Sequence, residues 1–233
     1  MKTSLTVLIV TASSALALAA HAADADRLVV AQADAEKTAS EAATFSYKPP
    51  LRGAPATRVG GGTRSIGSRS FTVSVLAPSE TGFTTRDTPT IYWYVSEPVN
   101  SPVEVTLTTT EPLKDATPPA LEITLQPPIS KGVHALRLAD HGVVLKPGVE
   151  YQWFVAVVGN PAQRSSDIIA GGAIKRLAEA DYAKDGLWYD TIDQLSQRIS
   201  ASPADPRLRQ QRAALLDQVG LREAAAFDRD AIR

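Results

Sequence analysis

Gly60, Gly61 and Gly62 stand together in the sequence, with Arg58 before them and Arg64 after them. Backbone amides freed by glycine and flanked by guanidiniums are groups that could cradle a phosphate. A phosphate loop of the G-x-x-x-x-G-K-[ST] kind needs a lysine after its glycines and a helix behind them, so that lysine, amides and helix end converge on the anion. Here Thr63 and Arg64 follow Gly62, and the next segment has strand character. The G-x-G-x-x-G spacing fails for the same reason. Nucleotide binding is therefore excluded. Three roles stay open for residues 49–64: a structural strap, an anion-binding nest built on Arg58 and Arg64, or a partner-binding segment. Pro49, Pro50 and Pro55 favour extended backbone there, while the glycines permit positive φ or close approach of another segment.

A second candidate is aromatic. In "TIYWYV" (90–95), alternation places Ile91, Trp93 and Val95 on one face of a strand and Tyr92 and Tyr94 on the other. A solvent-facing tyrosine pair could stack on sugar rings or anchor a protein partner. The competing reading packs both rings beneath the strap or the C-terminal helices.

Other combinations fall short of a site. His134 and His141, with Asp140, are seven residues apart with no cysteine in the chain, which matches no common zinc spacing. They are read as exposed polar residues of a hairpin. Glu97, Glu104, Glu122 and Glu150 lie in or beside strands, and two of them could cleave a glycosidic bond, but nothing in their spacing singles out a pair. No G-x-S-x-G elbow supplies a serine nucleophile and no D-x-[DN]-x-[DN]-G loop supplies a calcium site. No catalytic residue, metal or cofactor is assigned, and a hydrolase ranks third among the expected functions.

The elements that must position these residues change character along the chain. Residues 1–22 read as a signal peptide: Lys2 gives the positive start, Leu5 to Ala20 the apolar run, and Ala20-His21-Ala22 the cleavage pattern, so the mature chain is expected to begin at Ala23. Thr11, Ser13 and Ser14 interrupt the run, which argues against a retained anchor, and no later segment resembles a membrane span. The absence of cysteine removes lipid acylation, disulfides and thiolate chemistry together. The formal charge is −1, from 24 basic and 25 acidic residues. Loss of Lys2 leaves 23 against 25, a balance that argues against nucleic-acid binding. Periplasmic or secreted residence follows.

Residues 23–44, rich in Ala, Asp and Glu, read as a flexible linker. From 45 to 177 a β-sandwich is expected, with strands at 71–78, 89–97, 103–110, 121–126, 132–138 and 149–158. In "LKPGVEYQW" the turn of Leu145, Pro147 and Gly148 running into Tyr151 has the form of a tyrosine corner. Trp93 is the natural core tryptophan, with Trp153 on the opposing sheet. Together these point to an immunoglobulin-like or fibronectin-like sandwich lacking the disulfide. From 178 to 233 the period turns helical. Trp188, Ile192, Leu195 and Ile199 form one stripe, and a second helix starts with Asp205 as N-cap and Pro206 at its first position, ending at Gly220. The expected product is a helical hairpin resembling half a tetratricopeptide repeat.

The segments "RGAPATRVGGGTR", "PTIYWYV", "LKPGVEYQWFVAVV" and "GGAIKRL", in that order, resemble the exported bacterial family of domain of unknown function nine hundred and twenty-eight. The likeness covers approximately residues 45–177 together with the helical tail. It implies compartment and architecture rather than an activity. The expectation is a non-catalytic protein-interaction or structural module of the bacterial envelope with a protein partner, and the alternative is a binder of envelope glycan or anionic polymer through Tyr92, Tyr94 and the strap arginines.

Overall fold

The computed structural model describes Tyr47, Arg58 and residues 63–66, 69–110, 118–178 and 186–232. Side chains in 63–66 and 69–70 lie outside the description. Its strands are β1 (Thr63–Ile66), β2 (Arg69–Val75), β3 (Gly82–Thr84), β4 (Thr90–Val95), β5 (Val103–Thr109), β6 (Leu121–Leu125), β7 (Gly132–Arg137), β8 (Glu150–Val157) and β9 (Ile168–Arg176). Three helices follow: α1 (Trp188–Ala201), α2 (Pro206–Gln218) and α3 (Arg222–Asp230). The chain is mainly β with a helical end, and all these elements belong to the unit Phe45–Arg233.

The strands form a four-stranded sheet in the order β1-β2-β4-β7 and a five-stranded sheet in the order β3-β9-β8-β5-β6. All pairings are antiparallel except β3 with β9. Alternation decides which side chains enter the layer between the sheets. Val105 of β5 and Trp153 and Val155 of β8 are fully buried there, while Gln152, Phe154 and Ala156 of β8 point to the outer face. The six strands read from alternation all form.

Three strands escape that reading. β1 lies in the glycine-arginine segment, β3 has three residues, and β9 is interrupted by Gly171 and Gly172. Those two glycines each serve one face of β9. A Cβ on Gly172 would lie 2.7 Å from the Cβ of Ala77 in the inner layer, and one on Gly171 would lie 2.4 Å from the Phe154 ring on the outer face. Close sheet approach thus requires the first, and an aromatic ring lying flat across the strand requires the second.

The helical end departs from the expected hairpin by a third helix. Asp205 caps α2 by accepting from the Arg207 amide at 3.0 Å, and Gly220 takes φ +75° just beyond its end. The chain then turns into α3, whose Ala224 and Ala225 are buried. Three consecutive alanines give α3 strong helix propensity but little apolar periodicity, which is why a search for stripes passes over it. The stripe of α1 is buried from Trp188 to Ile199.

Every residue of β4 is buried, because both faces of its sheet are covered. Ile91, Trp93 and Val95 face the other sheet. Tyr92 and Tyr94 lie beneath α1 and α3.

Candidate functional site

The strap residues are the first candidates. Arg58 donates its backbone N–H to Ser79 O at 3.1 Å, and its Nη1 donates to Ala77 O at 3.1 Å and to Val219 O at 2.8 Å. Val219 closes the C-terminus of α2, where helix carbonyls lack intrahelical partners and the dipole favours a cation. Arg58 therefore ties the end of β2 to the end of α2. Burial lowers its pKa and the nearby Glu80 charge opposes that shift. Tyr47 acts alongside it. Its amide donates to Gln218 Oε1 at 2.9 Å and its ring meets Trp188 edge-on at 5.0 Å. Gly60, Gly61 and Gly62 lie outside the described residues, as does the side chain of Arg64, whose backbone pairs with Phe71 in β1–β2.

The tyrosines do not form a solvent-facing pair. Tyr92 is 7% exposed and donates its hydroxyl to Asp193 Oδ1 of α1 at 2.7 Å, and Tyr94 is 4% exposed and packs against Phe227 of α3 at 5.5 Å. The reason is the helical layer, which needs an apolar floor and takes this face of β4. Ligand stacking on these rings is incompatible with that arrangement, and neither comes near Arg58 in the contacts each makes.

What the tyrosine face does carry is a polar network joining sheet to helices. Asp193 also accepts from Arg86 Nη1 at 2.5 Å and Gln197 Nε2 at 2.9 Å. One turn earlier, Asp190 accepts from both the amide and hydroxyl of Thr85 at 3.0 and 2.6 Å, and from the Thr84 hydroxyl. Beyond Asp193, Arg212 of α2 holds Asp228 of α3 through Nε and Nη2 at 2.7 and 2.6 Å, and donates to Ser196 of α1 at 3.0 Å. Asp228 is fully buried and Arg212 nearly so. Such a pair holds its orientation because either charge left alone would be strongly unfavourable.

A polar cleft opens beside this network. It has a volume of about 370 Å³ and lies where the end of β7, the end of β9, the β3–β4 loop and Gln197 of α1 meet. Arg86, Arg137 and Arg176 all line it. Each stands at or just beyond a strand end, in "TTRD", "ALRL" and "AIKRL", but only the sheet order brings those three ends together.

The remaining sequence candidates stand apart. His134 contacts Ser130 O through Nε2 at 2.7 Å and stacks on Trp93 at 5.5 Å, while exposed His141 ends a short 3-10 turn. Glu97 pairs with Lys131 at 3.6 Å, Glu104 with Arg164, and Glu150 accepts from the Thr81 hydroxyl at 2.9 Å, so the carboxylates engage separate partners. The Arg164 hydrogen bonds hold the Glu104 carboxyl below its ordinary value. Among the described residues no group of three or more His, Cys, Asp or Glu stands together in a way that could hold a metal. No helix among them is long and apolar enough to cross a membrane.

No curated protein matches the chain. A family model does match, over residues 59–181 and again over 179–227, so that it takes in the strap's end, both sheets and the three helices. The chain belongs to the family described as Domain of Unknown Function (DUF928).

Proposed function

We propose that this chain is a non-catalytic protein-interaction module of the bacterial cell envelope, exported by its N-terminal leader to the periplasm or beyond. In this reading the two sheets are an immunoglobulin-like sandwich, with the amide of Lys146 donating to the Tyr151 hydroxyl at 3.2 Å as its tyrosine corner. The first two helices are a tetratricopeptide-like pair whose apolar faces are already occupied, which removes them as a free groove.

One observation carries the proposal: the sheets are covered unequally. Helices close the outer face of the four-stranded sheet, whereas among the described residues α1 meets the five-stranded sheet chiefly at its edge strand β3. The outer face of that sheet presents Thr106, Gln152, Phe154 and Ile169, the last 42% exposed, and ends at strand β6, which among the described residues pairs only with β5. A flat sheet face with an unpaired edge is a surface that another chain can extend or cover.

Replacing both Thr106 and Ile169 with arginine disrupts this face without touching the inner layer. The full-length double variant should lose the envelope protein that the unaltered chain captures, while keeping its melting temperature. Retention of that partner by a folded double variant would refute the assignment. A second reading, in which the ligand is an envelope glycan or anionic polymer, is favoured by the three guanidiniums of the cleft.

A further inference from the structure

We propose that the cleft between the β7 and β9 ends is a binding site for an acidic saccharide, in which Arg137 and Arg176 take the anionic group and Thr88, Asp87 and Gln197 take hydroxyls. This site rests on the second reading, a glycan or anionic-polymer ligand, and does not depend on partner docking at the open sheet face.

The three guanidiniums do not have equal freedom. Arg86 is already committed to Asp193 of α1. Arg176 donates Nη1 to Leu145 O at 3.1 Å, but its Nε is buried and has no hydrogen-bond partner among the described residues. That buried Nε is out of a ligand's reach, but the Nη2 of Arg176 has no hydrogen-bond partner among the described residues either and is the donor left for a ligand. Arg137 is exposed at the end of β7, and its guanidinium has neither ion pair nor hydrogen bond among the described residues. Two guanidiniums with open donor positions around one cleft suit the fork geometry by which arginine binds carboxylate or phosphate oxygens.

The rest of the lining argues for a ligand richer than a bare anion. Asp87 puts a carboxylate among the arginines, which weakens the hold on a bare inorganic anion but accepts readily from a hydroxyl. Gln197 gives its amide nitrogen to Asp193, and its amide oxygen has no partner among the described residues. The Thr88 hydroxyl makes only a long contact of 3.4 Å to Asp87. Acceptors and donors thus stand together with cationic groups in one cleft, a combination that a sugar ring carrying one acidic group complements. The volume of about 370 Å³ falls within the range of small-molecule sites and accommodates one or two sugar units. Among the described residues no aromatic ring lines the cleft, so recognition depends on charge and hydrogen bonds and weakens as salt rises.

Calorimetric titration of the full-length mature protein with a galacturonic acid trisaccharide, its neutral galactose counterpart and inorganic phosphate tests the assignment. The acidic trisaccharide should bind, phosphate should compete with it only weakly, and the neutral trisaccharide should not bind. Arg137→Ala, at an exposed side chain, should weaken acidic binding about tenfold or more with an unchanged melting temperature. Arg229→Ala, which removes an equal charge from α3, should leave binding intact. Equal binding of the neutral sugar, phosphate binding without any saccharide binding, or no effect of Arg137→Ala would each overturn the proposal.

Discussion

Tyr189, in the first turn of α1, accepts a hydrogen bond from the Trp153 indole at 2.8 Å and donates one to Ala173 O at 3.0 Å. A helix side chain therefore satisfies two buried polar groups of the sheets, the Trp153 N–H and the Ala173 carbonyl. Its ring fits because β3 has Gly82 there, where a Cβ would lie 2.7 Å from the ring. The neighbouring Trp188 indole donates to Leu76 O at 2.7 Å. The helices thus complete the core that the sheets leave open.

Tyr189→Phe keeps the ring and removes the hydroxyl, leaving the buried Trp153 N–H without an acceptor and Ala173 O without that donor. A loss of about 2 kcal/mol is expected from the penalty of unmade buried hydrogen bonds. Urea unfolding of the variant should show a lower midpoint at an unchanged slope.

Arg58→Ala removes the link from Ala77 O to Val219 O. Charge-assisted hydrogen bonds of this kind contribute roughly 1.5–3 kcal/mol each, and the released carbonyls regain water only in part. We expect a fall of about 2 kcal/mol in thermal or urea unfolding. An unchanged stability would return Arg58 to the pool of ligand-binding residues.

Asp228→Asn leaves the Arg212 charge buried against a neutral amide. Loss of one partner from a buried ion pair costs about 3–5 kcal/mol, so this variant should be the most damaging of the three. Differential scanning calorimetry gives the comparison directly.

Alkaline pH should unfold the protein through its tyrosines. Burial raises the pKa of Tyr47 to about 12, and raises those of Tyr92, Tyr94 and Tyr189 above the ordinary 10.0. For Tyr92 the hydrogen bond to the Asp193 carboxylate adds to burial, and for Tyr94 the charge of Glu223 does. Between pH 10 and these raised values the folded chain holds protons that the unfolded chain releases. Their contribution to stability is accordingly whole below pH 10 and is lost as pH rises through the folded values. Absorbance at 295 nm should show these four phenols ionising together with loss of structure.

The sequence exposed what depends on local period and hid what depends on assembly. Alternation alone puts Tyr92 and Tyr94 on one face of β4, but it does not say what covers that face. The cover comes from α1 and α3, some 100 residues and more away along the chain. Gly171 and Gly172 disrupt the apolar run that would have marked β9, although they are the residues that allow its close packing. Arg58 stood out for its setting beside three glycines, yet its carbonyl partners belong to β2's end and α2's end, which no spacing rule brings together. Arg137 and Arg176 carried no signal at all. Each is an ordinary charged residue closing a strand, and only the sheet order gathers them at one cleft.

The helices are part of the sheet core and so leave the face of the five-stranded sheet as the open surface. Native-state hydrogen exchange on the full-length chain tests it most directly. The amides of α1 should exchange with the same opening free energy as those of β4 and β8, because Tyr189, Tyr92 and Asp193 bind them into one cooperative unit. Full exchange of α1 while β4 and β8 stay protected would contradict it, and would mark the helices as a separable arm.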